Sequence, residues 1–313
     1  MLLDDACDFL LPAAAARAVA DVRVGLGYTA VQMDDGRCGL AYTFRDEVQE
    51  GCCVIGEAGT LTGRRASDLA TWAKSSDTVA RAVGLATLNA LTDVPADTAE
   101  ADLLTELQVI SKDVIGMVGY FGPLVGPLRS RGTTLHVFER HPMPETDVLP
   151  EASTVQVLPQ CDVVILSATT LINRTLDNLL LLCRNARDIA ILGPSTPLLP
   201  AVFVNRGVTV LSGVQVLQPA RVLRVVSEGG GTRQFGNAVR KVSLRLISVP
   251  LRREAATLTS WPARARSRPS SAVRSRSRNA DEQQFRDRYR PSHIRALPRT
   301  FHRYNDLPRF EPW

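Results

Sequence analysis

The chain begins with an alanine-rich stretch that favours a helix over residues 1–20. Short apolar segments separated by polar turns follow it. Residues 22–33 are rich in Val, Tyr and Thr, which favours a strand. The turn sequence DDGR at 34–37 follows, and residues 38–44 predict the returning strand of a hairpin, because Asp and Gly tolerate positive φ. Residues 52–55 predict a third, short strand.

A helical spacing of apolar residues comes after these strands. Apolar side chains recur at i, i+3, i+4 and i+7 over residues 66–73 and again over residues 79–86, which places each set on one helical face. Strands followed by helices are typical of a small α+β domain. We therefore predict such a domain over residues 1–95, with the polar segment TDVPADTAE at 92–100 as the linker.

From residue 114 the pattern changes to apolar strands that alternate with helices. Strands are predicted at 114–118, 134–139, 162–167, 189–192 and 208–211, helices at 123–131 and 175–186, and a brief strand or turn at 152–159. Apolar strands flanked by helices indicate a parallel sheet covered on both faces. Residues 96–250 are thus predicted to form a Rossmann-like, doubly wound α/β ligand-binding domain.

Charge separates the last part of the chain from the rest. Residues 251–313 contain 15 Arg and 6 acidic residues, whereas the preceding 250 residues contain 22 basic and 26 acidic ones. The last segment is rich in Arg, Ser and Pro and has no apolar period, so it cannot bury enough surface to offset its ordering entropy. We predict a disordered tail over 251–313, and any nucleic-acid binding would go through this basic tail.

Other features of the composition favour a cytoplasmic protein that does not enter a membrane. No apolar run reaches the roughly 18 residues that a spanning helix needs. The acidic start, MLLDD, lacks the positive region of a secretory signal. The six cysteines form no C-x-x-C pair, and Cys161 and Cys183 lie in apolar patterns that predict buried thiols.

The strongest candidate for ligand chemistry is a glycine turn after the first Rossmann-like strand. It runs through Gly119, Tyr120, Phe121 and Gly122, and Glu139 follows twenty residues after Gly119, where dinucleotide sites carry a ribose-binding acid. The spacing is G-x-x-G-x-x-G instead of G-x-G-x-x-G, and the two aromatic side chains would crowd a pyrophosphate. A nucleotide-type cofactor, another ligand and simple packing all remain open.

Two later loops should reach the same edge of the sheet. Ligands in open α/β sheets bind beyond the carboxyl ends of the strands. The loops offer hydroxyl, amide and backbone groups that suit a polar or anionic ligand group: Thr169, Thr170, Asn173, Gly193, Ser195 and Thr196. We expect these residues, the glycine turn and Glu139 to face one pocket. The alternative is that the loop residues only cap helices.

Metal and nucleophile chemistry are weaker possibilities. Cys52 and Cys53 are adjacent and would point to opposite faces of a strand. Glu139 and His141 could share one face of an extended strand end, but no ligand set with a known spacing emerges. Ser195 lies outside any G-x-S-x-G elbow, so no catalytic triad is indicated.

Taken together, these motifs resemble the family described as putative heavy-metal chelation, a domain of unknown function. The matching stretches are 39–44, 58–64, 84–90, 118–124, 139–142, 162–175 and 193–198. The resemblance covers residues 1 to about 246 and does not extend to the tail. It implies a Rossmann-like C-terminal domain, an enolase N-terminal-like first domain, and a site in the cleft between them.

Three hypotheses follow. The first is a small-ligand or metal-chelate binding protein, or an enzyme, that uses the inter-domain cleft, with a heavy-metal ion or metal chelate as one candidate ligand. The second is an enzyme with a nucleotide-type cofactor, an oxidoreductase or a transferase. The third is a protein that associates with nucleic acid through its tail. A homo-oligomer is compatible with each of them.

Overall fold

The computed structural model describes residues 1–48, 53–94, 103–141 and 147–246. The predicted tail and most of the predicted linker lie outside these residues. The strands are β1 Val19–Val24, β2 Tyr28–Met33, β3 Cys38–Tyr42, β4 Val114–Val118, β5 Thr134–Glu139, β6 Val148–Pro150, β7 Val163–Ser167, β8 Asp188–Leu192, β9 Val210–Val216 and β10 Val239–Arg245.

Eleven helices are found in the described residues, several of them a single turn. They are α1 Leu2–Ala15, α2 Ala66–Ala70, α3 Thr78–Leu91, α4 Leu103–Glu106, α5 Gly122–Ser130, α6 Thr154–Val157, α7 Thr169–Ile172, α8 Leu176–Leu182, α9 Pro200–Phe203, α10 Pro219–Ser227 and α11 Thr232–Phe235. Short 3-10 turns cover Arg45–Glu47, Thr71–Lys74, Glu151–Ser153, Leu158–Gln160, Val204–Arg206 and Gly236–Ala238. Within the described ranges, no helix is long and apolar enough to cross a membrane.

The first sheet is an antiparallel meander in the order β1-β2-β3. The single strand predicted over residues 22–33 is therefore wrong, because the chain turns at Gly25 and Gly27. A Cβ on Gly25 would lie 2.2 Å from the carbonyl oxygen of Val226, so the turn packs directly against α10. The third strand predicted at 52–55 is also wrong for residues 53–55, which form a bend, and Cys52 lies outside the described residues.

Two glycines bring α3 into backbone contact with its neighbours. A Cβ on Gly39 of β3 would lie 2.2 Å from the carbonyl oxygen of Ala86, and one on Gly84 would lie 2.0 Å from the amide nitrogen of Ala73. The helices predicted over 66–73 and 79–86 are confirmed, and α3 extends further at both ends, starting at the Asp77 cap. The side chain of Asp77 accepts a 2.7 Å hydrogen bond from the amide of Ala80.

The second sheet has seven strands in the order β10-β9-β8-β7-β4-β5-β6. Counted from β4, the six parallel strands run 3-2-1-4-5-6, which is the Rossmann arrangement. The predicted fold class, a Rossmann-like α/β sheet preceded by a small α+β domain, is confirmed. The seventh strand, β10, pairs antiparallel with β9 and was not predicted. Residues 152–159 are helical turns and not a strand.

The small sheet packs against the large one through two buried clusters. One cluster surrounds α1, α3 and the strands β4, β7 and β8. The other joins Tyr28 and Leu40 of the small sheet to Val222 and Val226 of α10 and to Phe235. Because α10 follows β9 and covers β1 and β2, the first sheet is held beside the strand ends of the second. This packing creates the cavity described next.

Candidate functional site

A cavity of about 190 Å³ lies where the small sheet faces the carboxyl ends of the parallel strands. Its wall draws on residues at the ends of β4, β5, β6, β7 and β8 and on β2 and β3. The lining residues are Tyr28, Tyr42, Phe44, Val118, Gly119, Tyr120, Phe121, Phe138, Glu139, Arg140, Glu151, Ser167, Ala168, Thr169, Thr170, Asn173, Leu192, Gly193, Pro194 and Ser195.

The glycine turn lies between β4 and β7, the point at which the order of the strands reverses. Gly119 has a φ of 95°, a conformation that side chains disfavour. A Cβ there would approach the Cβ of Ser167 on β7 to 2.9 Å. Glycine is therefore required both by the backbone conformation and by the close approach of the next strand. Open α/β sheets bind their ligands at this switch point.

Glu139 ends β5 and lies against the same turn, as expected from its spacing. Its Oε1 accepts a 2.5 Å hydrogen bond from the amide of Tyr120, and the amide of Gly119 donates to the carbonyl of Phe138 at 2.9 Å. The glycine turn and Glu139 thus face one cavity. The Glu139 carboxylate thus accepts a hydrogen bond from the Tyr120 N–H, a backbone group that in a dinucleotide site would be directed at the ligand.

The loop after β7 is tied together by its own hydroxyl groups. Ser167 Oγ and Thr169 Oγ1 lie 2.8 Å apart, and Thr170 Oγ1 donates to the carbonyl of Ser167 at 2.5 Å. Asn173 Oδ1 accepts from the amide and the hydroxyl of Thr175 at 3.2 and 2.8 Å. Thr169, Thr170 and Asn173 all line the cavity, but part of their hydrogen-bonding capacity goes to shaping the loop.

Some residues of the loop after β8 line the cavity, and others are buried in the core. Gly193 and Ser195 line the cavity, and Ser195 Oγ accepts a 2.8 Å hydrogen bond from the amide of Tyr42 on β3. Thr196 is buried and donates instead to the carbonyl of Ser212 at 2.9 Å, away from the lining. Gly122, the first residue of α5, also lies outside the lining. Ser195 therefore links the two sheets at the cavity wall.

The aromatic wall contributed by the small sheet was not predicted. Tyr42 packs edge-on against Phe44 with ring centroids 5.1 Å apart and against Tyr28 at 5.9 Å. Burial raises the pKa of Tyr42; Arg45 works to lower it, and Asp46 and Glu139 raise it further. Tyr42 ends β3, and Phe44 lies two residues further on, outside the strand.

Arg140 connects the rim of the cavity to the small domain. Its guanidinium forms a short ion pair with Glu47, lies 3.9 Å from a carboxylate oxygen of Glu151 and sits 5.7 Å above the ring of Phe44. Glu47 also accepts a 2.9 Å hydrogen bond from the hydroxyl of Thr78. The charge of Arg140 is thus engaged by two carboxylates.

The donor set does not fit a bare heavy-metal ion. In the described ranges, no group of three or more His, Cys, Asp or Glu side chains is arranged to hold a metal, and neither Cys nor His lines the cavity. Burial raises the pKa of Cys38 and Cys183 to about 12 and that of Cys161 to about 11, so these thiols stay protonated. Soft metals are bound by thiolates, which this cavity lacks.

Sequence comparison identifies the family. Two profiles, both described as "Putative heavy-metal chelation", match residues 7–92 and 102–245. The uncharacterized protein MJ0500 of Methanocaldococcus jannaschii is 31% identical over 180 residues, which cover 56% of this chain and 69% of that protein. The chain belongs to the putative heavy-metal chelation family. The resemblance inferred from the sequence motifs is confirmed.

Solved structures of family members share the fold. A DUF364-family protein of unknown function from Pyrococcus horikoshii superimposes with a TM-score of 0.69 at 25% identity, covering 78% of this chain and all of that one. A second, from Desulfitobacterium hafniense, gives a TM-score of 0.66 at 26% identity, covering 78% of this chain and 98% of that one. Both support the two-sheet architecture.

Proposed function

We propose that the protein binds a small organic ligand in the cavity between its two sheets. The observation that carries this proposal is the cavity's position: it lies at the strand-order switch point and is closed by a second sheet. Ligand sites in open α/β proteins occur at this point, and a concave, largely apolar wall with few polar groups is typical of them. The wall here is mostly aromatic and aliphatic, with Glu139, Ser167 and Thr169 among its polar groups.

Size and chemistry narrow the ligand class. A cavity of about 190 Å³ is smaller than the ~300–1,000 Å³ typical of sites for drug-sized molecules, which favours a compact ligand over a dinucleotide. The glycine turn directs the amide of Tyr120 at Glu139, so a pyrophosphate would meet a carboxylate there. If the ligand of this family member involves a metal, we propose that the ligand's own atoms chelate it.

The test is to block the cavity and compare bound small molecules by native mass spectrometry. We expect the purified wild-type protein to carry or select a small molecule from a metabolite mixture. Gly119→Val should lose it, because the new side chain would meet Ser167. Gly126→Val is the matched control, since a Cβ there meets no atom within 4 Å.

A second variant is needed because Gly119→Val could misfold: the positive φ at this position costs about 1–2 kcal/mol for a residue with a side chain. Thr169→Phe should fill the cavity from the loop after β7, at a residue with an ordinary helical conformation. If both variants have native circular dichroism and retain the same ligand with unchanged affinity, the cavity is not the binding site.

A further inference from the structure

The charges that line the cavity do not balance. Among the described residues that line the cavity, Arg140 is the one cation, and it is engaged by Glu47 and Glu151. Within the part of the chain that the structure describes, no cation pairs with Glu139, and the backbone amide of Tyr120 donates a hydrogen bond to its carboxylate. The region therefore carries more negative than positive charge, even though the sheet edge offers helix starts that would favour an anion.

Aromatic side chains line the cavity beside these carboxylates. Tyr42, Phe44, Tyr120 and Phe121 all line the cavity. Aromatic faces attract ammonium and guanidinium groups through their quadrupole. The molecule already uses this contact at the rim, where the Arg140 guanidinium lies 5.7 Å above the Phe44 ring. Carboxylates beside aromatic rings are suited to organic cations.

The same geometry works against an anionic ligand. In dinucleotide-binding sheets the glycine turn and the following helix receive phosphate oxygens. Here the carboxylate of Glu139 accepts the Tyr120 N–H at 2.5 Å, immediately before α5 begins at Gly122. An incoming anion would have to displace a like charge from this amide. The protein's own side chain thus takes the position of the phosphate.

We propose that the ligand carries a positively charged organic group, an ammonium or a guanidinium, which Glu139 binds within the aromatic wall. This inference rests on the proposed binding function and specifies the class of ligand. It also argues against direct binding of a metal ion, because the described residues of the cavity supply no thiolate or imidazole donor. This proposal replaces our expectation from the loop hydroxyls, which was a polar or anionic ligand group, with a cationic group.

The experiment uses three one-ring probes that differ in charge: benzylammonium, benzyl alcohol and benzoate. Binding to the full-length protein is measured by ligand-observed NMR and calorimetry at neutral pH. We expect benzylammonium to bind at least about tenfold more tightly than the other two, since charge-assisted hydrogen bonds are roughly twice as strong as neutral ones. Added salt should weaken the benzylammonium complex and leave that of neutral benzyl alcohol unchanged.

Glu139→Gln removes the charge and keeps an oxygen that can accept the Tyr120 N–H. We expect this variant to lose the preference for benzylammonium, with an affinity about tenfold lower, while its melting temperature stays close to that of the wild type. Glu57→Gln is the matched control, because it changes the net charge equally on an exposed loop outside the cavity. Its probe affinities should equal those of the wild type.

The possible outcomes separate the two proposals. Tighter binding of benzoate, equal binding of all three probes, no binding of benzylammonium, or an unchanged preference in Glu139→Gln would each overturn the cation assignment. If the native ligand found by mass spectrometry is anionic but is still lost in Thr169→Phe, the cavity remains the binding site and only its charge preference is wrong. If benzylammonium binds Thr169→Phe as it binds the wild type, the site itself is misplaced.

Discussion

Acidic side chains lie both at the amino ends of the parallel strands of the large sheet (the amino edge) and at their carboxyl ends (the carboxyl edge), but the two groups have different partners. At the amino edge, Asp113 and Asp188 are 4% and 0% exposed, and arginines hold them: Arg187 lies 2.8 Å from Asp113 and Arg245 lies 2.7 Å from Asp188. At the carboxyl edge, Glu139 is only partly buried, faces a cavity and accepts a backbone N–H.

This difference indicates which acids serve the fold and which are available to a ligand. A buried carboxylate is tolerated only when its charge is paired and hydrogen-bonded. The aspartates at the amino edge pair with arginines of the same protein, Asp113 with Arg187 and Asp188 with Arg245, although Asp188 Oδ2 has no hydrogen-bond partner among the described residues. The carboxyl edge leaves one carboxylate without a charged partner among the described contacts. The following predictions test this contrast.

The largest effect should come from breaking a pair at the amino edge. Arg245→Leu leaves the buried Asp188 carboxylate with a hydrogen bond from the Thr209 hydroxyl, 2.9 Å away, and with Arg187, which pairs with Asp113, as the nearby positive charge. We expect the free energy of unfolding to fall by about 3 kcal/mol, as measured by urea denaturation, because removing one partner of a buried ion pair strands the other charge. Benzylammonium affinity should not change.

The control for that variant is an exposed pair with the same separation between its charged atoms. Arg23 and Asp21 also lie 2.7 Å apart, but the Arg23 side chain is 50% exposed. Arg23→Leu should cost no more than a few tenths of a kcal/mol, since solvent screens such pairs. Equal destabilisation by the two variants would contradict the distinction drawn from burial.

The next effect should appear at the carboxyl edge, where a buried arginine supports the cavity wall. Arg81 is 6% exposed and donates to the carbonyls of Ile172 and Ser76 at 2.5 and 2.7 Å and to the hydroxyl of Thr78 at 2.9 Å. Ile172 ends α7, the helix whose residues line the cavity. The side chain therefore holds this wall against the small domain.

Arg81→Leu should lower the free energy of unfolding by about 2 kcal/mol, because it leaves buried carbonyls unsatisfied. Unlike Arg245→Leu, it should also weaken probe binding several-fold, since α7 loses its support. The measurements are urea denaturation and calorimetric titration of benzylammonium. A variant that is destabilised but binds normally would show that Arg81 acts on the fold alone.

The smallest change in the free energy of unfolding should come from the ion pair between Glu47 and Arg140 at the rim of the cavity. Burial works to raise the pKa of Glu47, but hydrogen bonds from Arg140 and Thr78 outweigh it and lower the pKa below its usual value. The ionised carboxylate then stabilises the folded state above its unfolded pKa of about 4.3, and this contribution is lost as the pH falls through the lower, folded value.

Glu47→Gln should therefore reduce the free energy of unfolding by less than about 1 kcal/mol at pH 7, because both members of the pair are partly exposed. The difference from the wild type should shrink as the pH falls below 4. Urea denaturation at several pH values gives the comparison. A constant difference across this range would show that the ion pair with Arg140 does not contribute.

The sequence predicted the elements that have a clear period. Five of the six parallel strands are mainly apolar runs and α3 has a full apolar face, so these were found, whereas the three-residue β6 was missed. The link between Gly119 and Glu139 was also predictable, because two neighbouring parallel strands end at the same edge. The domain boundaries at residues 95 and 250 and the binding roles of the cavity residues stay predictions.

Other features depend on packing that the local pattern does not contain. β10 was missed because Arg240, Lys241 and Arg245 make its sequence polar, and only its pairing with β9 turns it into a strand. The glycine break at Gly25 is decided by the approach of α10. The contribution of Tyr42 and Phe44 could not be foreseen, because the sequence does not say which edge of the large sheet the hairpin covers.

The two outer strands of the large sheet have a consequence for association between copies. β6 is three residues long and ends in Pro150, which has no N–H to donate. β10 is longer but carries Arg240, Lys241 and Arg245 along its length, and charged side chains discourage a further strand from pairing there. The seven-stranded sheet should therefore not grow from one chain into the next through either of these two strands.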